Sequence, residues 1–394
     1  MAGVNGLRGT GEFGTDFRPT NYRELYTLLE PNGTAPLNAL LSMGSSQSTD
    51  DPKYNNFRDE LPDRKMKFDS AGGTGTGTTA LQMDIGDAGV AFVVAGSIIV
   101  NSETGEVMRA TAAGNTSNYQ VTVAHNIGGT SFSIADNAEL FVAGYAAAEG
   151  DTSPDALSFD PTVAFNYCQI FRTAFEVSNT LKSTYRRTGD AEDEYMTKAL
   201  KMHMSDIERA MFFGKKVEES GSTASPRRYT GGLMNELTNV LDQASNTSAN
   251  VLSETGFDNL LSDTVFAFGS KQKIAFCGTT VANLLQQIGK ARWQPSVVSG
   301  TYGINFTKYT TYAGDLLVHV HPQFRQIPGM ANDVIIIDFP YLKYRYLDGR
   351  DTTLLQNRQT NDKDASKHEY LTECGLELMQ DKVHSVIKNW NSLS

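Results

Sequence analysis

Apolar and polar positions along this chain follow two periods, and the places where one gives way to the other mark out its parts. The helical period is clearest in GDAEDEYMTKALKMHMSDIERAMFFGKK, Gly189 to Lys216. There Met196, Leu200, His203, Ile207, Ala210 and Met211 recur at three- and four-residue steps, which puts them on one face, while Lys198, Lys201 and Arg209 fall mostly elsewhere. Asp190 stands at the N-cap position, Asp193 three residues on, and acidic residues crowd the first turn, facing the positive end of the helix dipole. A helix from Glu192 to Phe213 would run about 33 Å at 1.5 Å per residue. That is long enough to brace a domain.

Elsewhere the period is two. From Ala91 to Ala148, short alternating segments are separated by the turn signals SETG (102–105), NIGG (126–129) and ADNA (135–138), and YQVTV around Tyr119 alternates cleanly. This spacing predicts a small antiparallel barrel or sandwich of roughly sixty residues, an inserted β-module. The apolar run AGVAFVVAGSIIV, Ala88 to Val100, reads as buried strands. It is broken by Gly and Ser and is shorter than the roughly 18 residues a membrane-spanning helix needs. The tail segments YLKYRYLDGRD and EYLTECGLELMQDKVHSVIKNW predict long antiparallel strands, with a tight turn at Asp348 and Gly349. Between helix and tail, a mixed α/β region is expected, with helices near Asp258–Leu261 and Val281–Lys290 and the buried strand DVIIID at 333–338.

Residues 1–62 read as an extended arm with two short helices. Asn21 and Glu24 have the capping-box spacing, and Pro36 opens the second helix, Pro36 to Leu41, where a missing N–H costs least. Leu37, Leu40 and Leu41 need cover that a thin arm cannot supply, which predicts a neighbouring domain or subunit. The Gly/Thr-rich DSAGGTGTGTTALQMD, Asp69 to Asp84, reads as a flexible lead into the β-module, and Glu218 to Gly232 as a surface loop. There is no repeat of 20–50 residues to suggest a solenoid or propeller.

Length changes this picture by implying more than one core, since single cores stop growing near roughly 250–300 residues and the chain has 394. Charge narrows the function: 45 acidic against 34 basic residues leave a formal net charge of −11, which disfavours a dedicated DNA-reading surface, though low affinity for DNA is compatible with merely enclosing it. Cys168, Cys277 and Cys374 are far apart with no CxxC pair, so neither a disulfide framework nor a structural zinc site is expected. MAGVNGLRGTGEF lacks a basic stretch followed by an apolar one, so cytoplasmic synthesis without a signal peptide is the expectation.

Candidate chemistry is sparse. GGTGTGT at 72–78 lacks the Gly-Lys-Ser/Thr ending of a phosphate loop, and GSK at 269–271 lacks the upstream glycine. HVHP places His319 and His321 on one side of a strand, where they could share a metal with Asp315 nearby, but no convincing third ligand is evident. His203 reads as a hydrogen-bonded, semi-buried side chain. NDKDASKHE, Asn361 to Glu369, reads as a solvated face. No GxSxG, HExxH or paired CxxC occurs, and no catalytic residue, cofactor or metal is assigned.

Two segments carry a resemblance. FNYCQIFRTAFEVSNT, Phe165 to Thr180, and LDGRDTTLLQNRQTNDKDASKHEYLTECGLEL, Leu347 to Leu378, resemble the major capsid proteins of a group of tailed bacteriophages. The likeness is strongest at YCQIFR (Tyr167, Gln169, Phe171, Arg172), GRD (Gly349, Arg350, Asp351) and EYLTECGLEL (Glu369, Tyr370, Leu371, Thr372, Glu373, Gly375). It implies an α+β Hong Kong 97-like capsid fold. Residues 1–62 would be the N-terminal arm and 63–164 the extended loop, lengthened by the β-module at about 91–148. Residues 165–235 would begin the peripheral domain, with the spine helix at about 192–213. Residues 236–340 would form the axial domain, and 341–394 would return to the peripheral domain. The implied function is structural: self-assembly into hexamers and pentamers of an icosahedral virion shell around double-stranded DNA, without sequence-specific binding or a membrane. Leu37, Leu40 and Leu41 would be intersubunit contacts; portal, scaffolding and decoration proteins would be partners; assembly would occur in the host bacterial cytoplasm. The rival readings are a metal-dependent hydrolase using His319 and His321, and a secreted adhesin built on the β-module.

Overall fold

The computed structural model describes residues 35–60, 64–69, 78–129, 134–186, 189–220, 225–245, 251–289, 296–301 and 304–393. The arm helix expected at Asn21 and most of the glycine run at 72–78 lie outside the described residues. The architecture is mixed α+β, and the chain forms two compact units, Phe57–Val163 and the remainder. It passes between them through the paired strands Lys53–Arg58 and Thr162–Tyr167.

In the larger unit a five-stranded sheet runs in the order Ser46–Thr49, Leu342–Leu347, Ala365–Leu378, Gln169–Ser178, with Thr353–Leu355 also paired to the third of these. Its centre is the 14-residue strand Ala365–Leu378, which pairs antiparallel with Gln169–Ser178 over ten registered positions, from Gln169 opposite Cys374 to Ser178 opposite Ala365. The long helix Ala191–Phe213 packs on this sheet. Asp190 caps it by accepting from the Glu192 N–H at 2.9 Å. At 23 residues it spans about 34 Å.

A mixed seven-stranded sheet runs Val240–Asp242, Ser385–Lys388, Val334–Ile337, Gln272–Cys277, Asp315–Val320, Ile304–Thr310, Ser296–Thr301. At its interior strand Val334–Ile337 both faces are buried. Ile335 and Ile337 point into the core shared with the long helix and the five-stranded sheet, while Val334 and Ile336 point into a second core around Phe257, Val281, Leu285 and Trp390. A strand covered on both faces needs no polar alternation, hence the unbroken VIII. The helices on its outer side are Glu254–Leu260 and Thr279–Gly289. One expectation is corrected here: Ser385–Lys388 does not continue the long antiparallel strands of the tail but joins this second sheet, parallel to Val240–Asp242 and antiparallel to Val334–Ile337. The chain leaves the first sheet after Leu378, and Val386 and Ile387 bury fully in the second.

The smaller unit is a six-stranded antiparallel sheet in the order Lys65–Lys67, Glu139–Tyr145, Ser97–Asn101, Val107–Ala110, Gln120–Ala124, Thr78–Gln82. A bridge from Phe68 to Met83 joins the two ends of this order and closes the sheet into a small barrel. Met66, Phe68, Leu81, Ile99, Met108, Val121, Val123 and Leu140 fill its interior. The module therefore begins well before Ala91, and Thr78–Gln82, expected as flexible chain, is a wall strand: alternating Leu81 and Met83 point inward. Ala88–Phe92, expected as strand, is instead a tight 3₁₀ turn, because the Asp87 side chain accepts the Gly89 N–H and holds the chain bent.

Candidate assembly site

The residues that carried the resemblance converge on the long strand Ala365–Leu378, although Tyr167–Arg172 and Gly349–Gly375 are far apart in sequence. Successive side chains alternate across the sheet. Tyr370, Thr372, Cys374, Leu376 and Leu378 face the long helix, where Cys374, Leu376 and Leu378 join Phe171, Ile207 and Met211 in the main core. Burial pushes the Cys374 thiol up and the Cys168 thiol up to about 12, so both behave as small apolar groups.

The opposite face presents Glu369, Glu373 and Glu377, one every four residues. Each buried carboxylate meets an arginine from a different segment. Arg172 grips Glu369 in a fork, through Nε and through Nη2 at 2.8 Å; Arg350 Nε reaches Glu373; Arg345 Nε reaches Glu377 at 2.6 Å. The Arg172 hydrogen bond and charge hold Glu369 below the usual carboxylate range. Three guanidinium groups thus lie over three carboxylates and cover a face that would otherwise expose charge on a central strand. Leu371 stands between the first two pairs, and Gly375 between the last two. A Cβ on Gly375 would stand 2.5 Å from both the Tyr167 carbonyl oxygen and the Tyr54 hydroxyl. Gln169 side-chain oxygen accepts from the Thr230 N–H at 3.2 Å.

The GRD turn is fastened to the same strand. Gly349 takes φ +68°, the Glu373 N–H donates to the Arg350 carbonyl at 2.9 Å, and Asp351 accepts from the Tyr344 hydroxyl at 3.0 Å. Beneath it Thr352 contacts Thr372 at 2.9 Å, Thr372 contacts His203 Nε2 at 2.8 Å, and His203 Nδ1 reaches Thr173 at 3.0 Å. His203 is fully buried, and that burial lowers its pKa below the ordinary imidazole value.

A second hub sits lower on the long helix. Glu208, fully buried, accepts from the backbone N–H groups of Leu37 (2.9 Å) and Asn38 (2.6 Å) and from His321 Nε2 (2.9 Å). The two backbone N–H groups are orphan donors of the helix Pro36–Gly44, so a residue 170 positions from Asn38 completes its N-terminus. This geometry corrects one expectation and counts against one rival reading. Leu37, Leu40 and Leu41 are 0%, 4% and 0% exposed and pack in the main core with Ile207, Met211 and Tyr344 of the same chain, leaving no surface for a neighbour. His321 is not a metal ligand: its Nδ1 accepts the Gln323 N–H at 3.2 Å, so Nε2 carries the proton that goes to Glu208. Among the described residues no group of three His, Cys, Asp or Glu side chains could hold a metal. The solvated face expected at Asn361 to Glu369 ends at Asp364; from Ala365 the chain is in the sheet, with His368 and Glu369 buried.

Sequence reasoning missed Glu208 because an acidic residue on a helix reads as solvent-facing. Glu369, Glu373 and Glu377 at steps of four were a legible sign of one shared strand face, though nothing local identified their arginine partners.

The family-motif residues knit together the central sheet of the larger unit, around the strand Ala365–Leu378. The model of the SU10 major capsid protein family matches residues 9–391, and the chain belongs to that family of phage capsid proteins. The major capsid protein of Pseudomonas phage PaMx41 is 29% identical over 337 residues, covering 81% of this chain and 77% of that protein. Among solved structures, the capsid of a native GTA particle aligns over 96% of this chain and 97% of that one, with 9% identity and a TM-score of 0.47. The capsid of Myoviridae phage XM1 aligns over 62% and 80%, with 11% identity and a TM-score of 0.38.

Proposed function

We propose that this chain is the repeating subunit of an icosahedral shell, joining as hexamers and pentamers around a double-stranded DNA genome in the host cytoplasm. The observation that carries the reading is the match to a major capsid protein family along residues 9–391. In a Hong Kong 97-like arrangement, the five-stranded sheet and long helix would be the peripheral domain and the seven-stranded sheet the axial domain, to which residues 385–393 also contribute. The barrel within Phe57–Val163 would lengthen the extended loop. Many modest contacts repeated around closed rings would hold the shell without any single strong interface. A net charge of −11 suits enclosure of DNA without adhesion. Portal, scaffolding and decoration proteins are the expected partners. Mass photometry and negative-stain microscopy across concentration and salt test the proposal: hexamers, pentamers or closed shells support it, and a stable monomer or dimer carrying stoichiometric metal overturns it.

A further inference from the structure

We propose that residues 266–271 and 311–314 form a preorganised aromatic rim that docks against a second copy of this chain, an inference that rests on the shell reading above. The two segments lie side by side because the strands they lead into, Gln272–Cys277 and Asp315–Val320, pair in parallel with Gln272 opposite Asp315. Each displays an aromatic ring to solvent: Phe268 is 56% exposed and Tyr312 84%. Exposed rings on mobile loops would be unremarked. These loops are fixed from beneath.

Lys273 is wholly buried, and its Nζ donates to the carbonyl oxygens of Val265 (2.6 Å), Phe268 (2.8 Å) and Val383 (2.6 Å), so all three ammonium protons are spent on backbone. Burial pulls its pKa down to about 8, the mark of a cation held where its charge is costly. Asp338, also wholly buried, accepts both the N–H and the hydroxyl of Ser270, each at 2.6 Å. Gly269 takes φ +85°, and a Cβ there would stand 2.3 Å from Asp338. The neighbouring turn closes through the Thr311 N–H to the Gly314 carbonyl at 2.9 Å, and the Asp315 N–H ties it to the Lys271 carbonyl at 2.7 Å. A buried cation and a buried acid thus hold the segment that carries Phe268, and the Asp315 to Lys271 backbone bond ties the turn that carries Tyr312 to it. Rigid aromatic side chains lose little entropy on docking and dominate interface energy.

Charge selects the occupant. Two copies of a chain of net charge −11 repel when they approach at random. Residues 266–272 and 308–315 contain only Lys271, Lys308 and Asp315 as charged residues, and Lys308 and Asp315 pair with each other at 2.8 Å. With two lysines against one aspartate, these two segments are net positive, opposite in sign to an approaching copy.

The test compares the parent chain with the double variant Phe268→Ala, Tyr312→Ala, reading the concentration at which rings or shells form by mass photometry and the melting temperature of the unassembled chain. The expected result is an unchanged melting temperature and a threshold raised about tenfold or more, as removal of two anchor residues predicts. Tyr312→Phe, which keeps the ring, restores the parent threshold. Lys273→Met, which keeps the aliphatic bulk but not the three donors, speeds amide exchange across 266–271 and raises the threshold. A double variant that assembles at the parent threshold overturns the inference, as does one that forms normal shells but loses attachment of a different virion protein. A parent chain that never assembles overturns the shell reading itself, and the rim with it.

Discussion

Replacing Glu208 with alanine should release the helix Pro36–Gly44 from the core. The carboxyl group receives three donors, the N–H groups of Leu37 and Asn38 and Nε2 of His321, and all four residues are buried. A buried donor left unpaired costs about 1–3 kcal/mol, and breaking a buried charge-bearing pair about 3–5 kcal/mol, so Glu208→Ala should destabilise the unassembled chain by about 3–5 kcal/mol. Glu208→Gln retains one oxygen but turns an amide NH₂ toward a donor, and should cost about 1–3 kcal/mol. Denaturant unfolding measures the sum, and hydrogen exchange measures the cause. The first amides of a helix have no intrahelical partner, so protection at Leu37 and Asn38 comes from Glu208 alone. Protection of those two amides in Glu208→Ala equal to that in the parent chain, with an unchanged unfolding midpoint, would refute the reasoning.

Three further outcomes are expected. Leu41→Ala opens a cavity in the main core and should destabilise the unassembled chain by about 2–5 kcal/mol in denaturant melts, whereas a leucine serving only a neighbouring subunit would leave that chain unaffected. Gly375→Ala forces a Cβ to within 2.5 Å of the Tyr167 carbonyl oxygen and the Tyr54 hydroxyl, and should lower stability by about 1–3 kcal/mol, read in the same melts. Acidification should lower the melting temperature in two windows. Burial depresses the His203 pKa from its ordinary 6.5, so the unfolded chain takes up that proton first and stability falls as pH drops below 6.5. Glu192, Glu194 and Glu369 are held below 4.5 chiefly by hydrogen bonds from Lys182, Lys198 and Arg172, so their contribution is present above 4.5 and lost as pH falls through their lowered values. A melting temperature that rises as pH falls just below 6.5 would contradict the His203 assignment, and one that rises as pH falls below 4.5 would contradict that of the glutamates.

What the sequence by itself determined was local and periodic. The capped helix from Asp190 to Phe213, the alternation at Gln120–Ala124 and the turn at Gly349 follow from side-chain spacing and backbone preference, which act within a few residues. Its motif residues also indicated a family, without indicating why they matter. Tertiary structure decided everything that joins distant residues. Only the fold brings Arg172, Arg345 and Arg350 over Glu369, Glu377 and Glu373, and only the fold sets Glu208 beneath the N–H groups of Leu37 and Asn38. Burial of Leu37, Leu40 and Leu41 was legible as a need but not as an address, because apolar surface is non-directional and accepts any cover of the right shape. The same holds for Ser385–Lys388, whose pattern fits either sheet: strand pairing is set by the partner edge available, and that edge exists only once the rest of the chain has folded.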